Sequence, residues 1–273
     1  MHYQIVVDSS ANMVNDPSVI SVPLKISTDK REFIDDSNLD INVMVDYLAS
    51  YKGESKTSCP NVHDYLEAFG DNEIVFAIAI SSKLSGSYNA GRLAVEQYNE
   101  LHPERKAYIF DSLATGPSMK LLKDKLVESI EMNLSFEEII QRVEGYKDHI
   151  DILYSLESLK NLANNGRVSK IVASGAGLLG IRIIGGSDGG KIAPKFKVKG
   201  EKKTIAKMFE DMQTLGYHGG RVLIDTCLNE NGGNELARLV KEKFSDADVK
   251  VDKCNGLCSF YAEKGGIIVS FEK

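Results

Sequence analysis

Residues 74–80 read IVFAIAI, an apolar run with no alternation. A strand with one wet face alternates apolar and polar side chains. A run that does not is covered on both faces, as in a parallel sheet layered between helices. The first half of the chain fits that constraint. Residues 3–7 are a second apolar strand ending in Asp8-Ser9-Ser10, and residues 107–110 a third ending in Asp111-Ser112. Residues 21–26 read as a further strand, which Pro23 assigns to a sheet edge. Helical spacing separates them: Ile41, Met44, Val45 and Leu48 follow a capping Asp40, and Val62, Tyr65, Leu66 and Phe69 follow Pro60, which suits a first helical turn. Further helices are expected over 88–98 and about 115–132, and Ser135 with Glu138 forms a capping box opening another through about 146. Strand and helix in turn predict an α/β layer.

The pattern changes near residue 150. A strand over 150–154 precedes a short helix in SLESLKNLANNGR, stopped by Asn165-Gly166. Glycine-bearing segments follow, in which Ser187-Asp188-Gly189-Gly190 signals a hairpin. A lysine-rich strand, a helix near 202–215, the strand RVLIDTC, a helix near 234–244 and two late strands complete an α+β half. With 273 residues, two domains are favoured. The expected fold class is α/β: an N-terminal α/β domain over 1–150 with a mainly parallel sheet, plus a C-terminal α+β domain over 151–273, with the ligand between them.

Composition excludes several functions. The net charge of −6, from 33 basic and 39 acidic residues, argues against nucleic-acid binding. The longest apolar run is too short to span a bilayer, and MHYQIVVDSS lacks a basic region followed by a long apolar segment, so a cytoplasmic protein without stable membrane insertion is expected. Seven lysines from Lys191 to Lys207 face only Glu201 in that stretch; they read as protection of an exposed edge strand, with a docking patch as the alternative. Cys59, Cys227, Cys254 and Cys258 form no CxxC pair and read as reduced, mostly buried thiols. The five histidines have no metal-ligand spacing, so no metal or cofactor is expected.

Two hydroxyl clusters remain, KTSCP at 56–60 and SSKLSGSYNA at 81–90. Both precede predicted helices, and a helix N-terminus offers free N–H groups and partial positive charge to an anion. The second also follows a strand's carboxyl end, the usual ligand position in such sheets. Plain capping explains one hydroxyl per helix but explains SSxxSGS less well. No GxxxxGK[ST] phosphate loop appears, no GxGxxG follows the first strand, and Ser85 has no nucleophile-elbow (GxSxG) context. Asp8 and Asp111 could serve a metal or act as a base, although turn-forming roles suit them better. The pattern is anion recognition without catalytic machinery.

These motifs, taken in order, resemble the DegV family of fatty-acid-binding proteins, which includes the acyl-carrying subunits of bacterial fatty acid kinase. The resemblance rests on IVVDSS, VPLKI, KTSCP for KTSxP, ISSKLSGSYNA for ISSxLSGTY, FDS at 110–112, and SLESLKNLANNGRVS for LxxLKxGGRIS. It implies a non-enzymatic carrier whose two domains clasp a long-chain fatty acid and present it to a separate kinase catalytic subunit. It also implies that Thr57 and Ser85 bind the carboxylate, assisted by Ser58 and Gly86. Two positions depart from the family pattern. Tyr261 stands where a histidine is common, and a tyrosine stays neutral near pH 7. Lys199 stands for a partner-facing arginine and loses its planar fork, whereas the partner-facing Arg167 matches. These departures keep open a lipid sensor or storage protein without a kinase, and Asp8 or Asp111 at the strand ends keeps open an enzyme acting on a small anionic metabolite. A long acyl chain needs an apolar tunnel, since burial contributes roughly 0.8 kcal/mol per CH₂. Val75, Phe76, Ile78, Leu178, Leu179, Ile181 and Ile183 are candidates, although such residues are more often plain core than tunnel lining.

Overall fold

The structure, a computed structural model, describes residues 3–170 and 180–273. Four parallel strands form the first sheet in the order β2 (Ile20–Val22), β1 (Tyr3–Asp8), β6 (Ile74–Ala79), β7 (Lys106–Asp111). The unbroken apolar run is central, and its side chains divide by parity. Val75 and Ala77 pack with Tyr65, Phe69 and Tyr98 of α2 (Val62–Phe69) and α3 (Ser87–Leu101). Phe76 and Ile78 pack with Met119, Leu122 and Val143 of α4 (Pro117–Glu131) and α5 (Phe136–Tyr146). Both faces are dry, as the lack of alternation requires. The capping box at Ser135 and Glu138 opens α5 as predicted.

A second sheet of six strands begins at Ile150. Its order is β10 (Lys191–Lys199), β9 (Ile181–Asp188), β8 (Ile150–Leu156), β13 (Ile267–Glu272), β11 (Arg221–Thr226), β12 (Asp248–Lys253), antiparallel except between β11 and β12. Helices α7 (Glu201–Thr214) and α8 (Glu230–Lys243) cover one face through Met208, Met212, Leu236 and Val240. The lysine-rich segment is β10, the sheet edge, with Lys191, Lys195, Lys197 and Lys199 exposed. Gly189 and Gly190 take positive φ of 54° and 87° in the turn joining β9 to β10, the left-handed backbone that a tight hairpin asks for.

Three expectations need correction. The strand over 21–26 is two strands in different sheets: β2 pairs with β1, whereas β3 (Lys25–Ser27) joins β4 (Glu32–Ile34) and β5 (Lys56–Ser58) in a small antiparallel sheet. Pro23 has no N–H to continue the ladder, and the Leu24 N–H turns to Ser9 Oγ at 3.0 Å. Pro60 precedes α2 instead of entering it; Asn61 caps that helix in a capping box with Asp64. Helix α8 starts at Glu230, earlier than expected, because Asn229 accepts from the Gly232 N–H. Helix α1 (Ile41–Ser50), capped by Asp40, places Met44 and Val45 against a core shared with Ile152 and Ile268 of the second half.

Candidate functional site

Beyond the carboxyl end of β6 lies a mostly apolar cavity enclosing about 850 Å³, its open mouth included. Its walls come from remote parts of the chain: Leu24 before β3, Ile80 and Leu84 after β6, Ile152 and Leu156 of β8, and Leu257. Thr57, Ser85, Arg167 and Tyr261 line the same space, as do the polar side chains of Thr115, Tyr154, Ser187 and Lys191. Thr57 is fixed by its register opposite Ile26 in the small sheet. Its Oγ1 lies 2.8 Å from the Tyr261 hydroxyl. Arg167 follows α6 (Lys160–Asn164); its Nε donates to the Leu84 carbonyl at 3.0 Å, and its guanidinium carbon lies 6.0 Å from the Tyr261 ring centroid. Burial raises the Tyr261 phenol above its ordinary range, against the lowering effect of the Thr57 bond, so it is a neutral donor at neutral pH. Ser85 Oγ accepts from the Ser87 N–H at 3.2 Å at the start of α3, and its own proton can still be donated.

Of the remaining predicted site residues, Ser58 is exposed beside Thr57 on β5, and alternation along the strand turns it to the other face. Gly86 is the exposed N-cap of α3. Lys199 ends β10 opposite Ile181. None of these three lines the cavity. The tunnel candidates are displaced as well. Val75, Phe76 and Ile78 are sealed between helices, Ile181 and Ile183 do not line the cavity, and Leu178 and Leu179 lie outside the described residues. A sheet covered on both faces leaves no room between its layers, so the space opens where the strand stops.

The two aspartates considered as bases are occupied. Asp8 is fully buried and accepts from Ile80 N at 2.9 Å, Ser87 Oγ at 2.7 Å, Ser10 N at 3.2 Å and Ser10 Oγ at 2.5 Å. Burial raises its carboxyl and these bonds oppose the rise. Asp111 accepts from the N–H groups of Ser82 and Leu113 at 3.0 and 3.1 Å, a turn-forming role. Among the described residues no cluster of His, Cys, Asp or Glu is placed to hold a metal ion, and no helix is long and apolar enough to cross a membrane.

A family model described as an uncharacterised protein of the DegV family matches residues 2–273. The chain belongs to the DegV family. A DegV domain-containing protein of Streptococcus pneumoniae strain R6 is 36% identical over 279 residues, spanning 100% of this chain and 99% of that one. Among solved structures, a DegV family protein from Eubacterium eligens loaded with heptadecanoic acid is 41% identical, with a TM-score of 0.96 and 99% of each chain covered. The fatty acid kinase B3 protein of Streptococcus pneumoniae, loaded with linoleic acid, is 36% identical, with a TM-score of 0.96 over 100% of this chain and 99% of that one.

One element of this DegV chain escapes sequence reasoning altogether. Tyr261, Leu257 and Cys258 reach the cavity from α9 (Gly256–Ala262), a short helix whose N-terminus is held by Asp35. The Asp35 carboxylate accepts from Gly256 N at 2.6 Å and Leu257 N at 2.9 Å. Two free amides at a helix start are satisfied by a side chain far away in sequence. No local signal marks it.

Proposed function

We propose that the protein binds a long-chain fatty acid in this cavity, with the carboxylate held by Thr57, Ser85 and Tyr261 beside the positive charge of Arg167. The observation that carries the reading is the gathering of those four polar side chains, from four separate segments, at one mostly apolar cavity. The binding energy follows the same division. Hydrogen bonds to a carboxylate contribute about 1.5–3 kcal/mol each. A long chain contributes on the order of 10 kcal/mol by burial, before ordering costs are subtracted. Relatives with cargo in hand, one with heptadecanoic acid and one with linoleic acid, support the substrate class.

The halves 1–150 and 151–273 clasp the ligand, and the protein acts in the cytoplasm as a carrier that performs no chemistry. The engagement of Asp8 and Asp111 by backbone and hydroxyl donors supports this over an enzymatic reading. Delivery is to a separate kinase, which supplies nucleotide and phosphoryl-transfer groups. The likeness to the fatty acid kinase B3 protein supports this partner, and in this reading Arg167 and Lys199 face it.

Denaturing extraction of the purified protein, followed by mass spectrometry, tests the cargo. A stoichiometric long-chain fatty acid is expected. A protein that is empty, and that also fails to take up added fatty acid, would overturn the reading.

A further inference from the structure

The cavity wall contains one polar group that nothing among the described residues satisfies. Tyr154 stands between Ile152 and Leu156 on β8, and all three side chains line the cavity at the two-residue period of a strand. The residue is 5% exposed. Its hydroxyl oxygen is buried and has no hydrogen-bond partner among the described residues. Room for it is provided deliberately. Gly185 is the paired residue on β9, and a Cβ there would come within 2.2 Å of the Tyr154 hydroxyl oxygen and 2.5 Å of the Ala193 carbonyl oxygen. Other buried, unpartnered side-chain atoms, on Ser21, Ser155 and Glu263, do not line the cavity.

A phenylalanine would build the same wall without the penalty of an unmet donor. The hydroxyl therefore calls for an acceptor that arrives with the ligand. We propose that the Tyr154 hydroxyl reads the bound chain, donating to an acceptor carried part-way along it. The preferred cargo is then a long-chain fatty acid bearing a hydroxyl or keto oxygen, or the π cloud of a double bond, over a saturated chain of equal length. This rests on the fatty-acid reading above. Oxygen lone pairs are the stronger acceptors, and π clouds the weaker.

Competition against one fluorescent fatty acid tests it, using stearate, oleate and a set of positional hydroxystearates on wild-type protein and on Tyr154→Phe. At least one acceptor-bearing chain should bind wild-type protein about tenfold more tightly than stearate. That ratio should fall toward one in Tyr154→Phe. A gain confined to hydroxystearates identifies the acceptor as oxygen, and a gain shared by oleate shows that a double bond serves as well. The proposal is overturned if stearate binds wild-type protein as tightly as every acceptor-bearing chain, or if Tyr154→Phe leaves the ratio unchanged. The wild-type ranking decides the matter alone should the variant fail to fold. Failure of every chain to bind is a different result, and overturns the fatty-acid reading itself.

Discussion

The Thr57 and Tyr261 hydroxyls stand 2.8 Å apart although 204 positions separate them in sequence. One belongs to a three-residue strand of the small sheet and the other to a seven-residue helix, and neither element is part of a large sheet. The hydrogen bond joins two short pieces that local propensity alone would not hold, one placed by its ladder with β3 and the other by Asp35. Each hydroxyl has one proton, so the pair can donate one bond to the other partner and one outward, toward a ligand oxygen.

Replacing either member should weaken fatty-acid binding without unfolding the protein. Thr57→Val and Tyr261→Phe each remove one donor or its orienting partner, and a hydrogen bond to a carboxylate is worth about 1.5–3 kcal/mol, so a loss of roughly tenfold to a hundredfold is expected. Because the two hydroxyls touch, the double variant should lose less than the sum. Displacement titration measures all three, and additive losses would show that the hydroxyls act independently.

Ser87 carries a different load. Its Oγ donates to the buried Asp8 carboxylate at 2.7 Å and lies 2.8 Å from the Tyr65 hydroxyl. Ser87→Ala leaves both groups short of a partner at the start of α3. The expected cost is about 1–3 kcal/mol in urea unfolding, and Ser87→Thr, which keeps the hydroxyl, should recover most of it. Equal losses in the two variants would place the effect in packing.

Where the chain was legible, the pattern was local and the consequence direct. The run at 74–80 has no alternation because α2 and α3 cover one face and α4 and α5 the other. The capping box at Ser135 and the hairpin at 187–190 carry their own geometry in four residues. The site was only half legible. Thr57 and Ser85 stood in hydroxyl clusters, but what brings them to one cavity is pairing through β3 and an anchored α9. The split at Pro23 and the Asp35 carboxylate on amides 221 and 222 positions away decide those placements, and both are tertiary facts. Val75, Phe76 and Ile78, tunnel candidates chosen for apolarity, fell in the sealed core because hydrophobicity marks burial without distinguishing a wall from an interior.

Asp35 gives stability a pH dependence opposite to that of most carboxylates. Burial outweighs the bonds from Leu257 N, Ser9 and Gly256 N and pushes its carboxyl up to about 6, above the ordinary value of 3.8. Between those values the folded chain holds more protons than the unfolded one. The contribution is thus fully present below the lower value and is lost as pH rises through the upper one. The shift corresponds to about 3 kcal/mol. Asp8 and Asp225 are also raised, by burial, and both are present in wild type and in Asp35→Asn. In urea titrations at about pH 4 and about pH 7, wild type should lose about 2.4 kcal/mol more than Asp35→Asn on going to the higher pH. Parallel losses would mean that Asp35 titrates normally.

The two halves are also joined by charge. Asp225, buried in β11, accepts from Lys120 Nζ at 2.8 Å and Asn12 Nδ2 at 2.6 Å, and both donors come from the first half. Lys120 also reaches Asp252 at 3.2 Å, on the exposed neighbouring strand. Lys120→Met would leave the buried carboxylate with one neutral donor, and stranding a buried charge costs about 3–5 kcal/mol. Lys120→Met with Asp225→Asn removes the charge together with its partner, so the double variant should recover part of that loss. Urea unfolding of the single and double variants measures the difference. A single-variant cost under about 1 kcal/mol would place this pair with ordinary surface bridges.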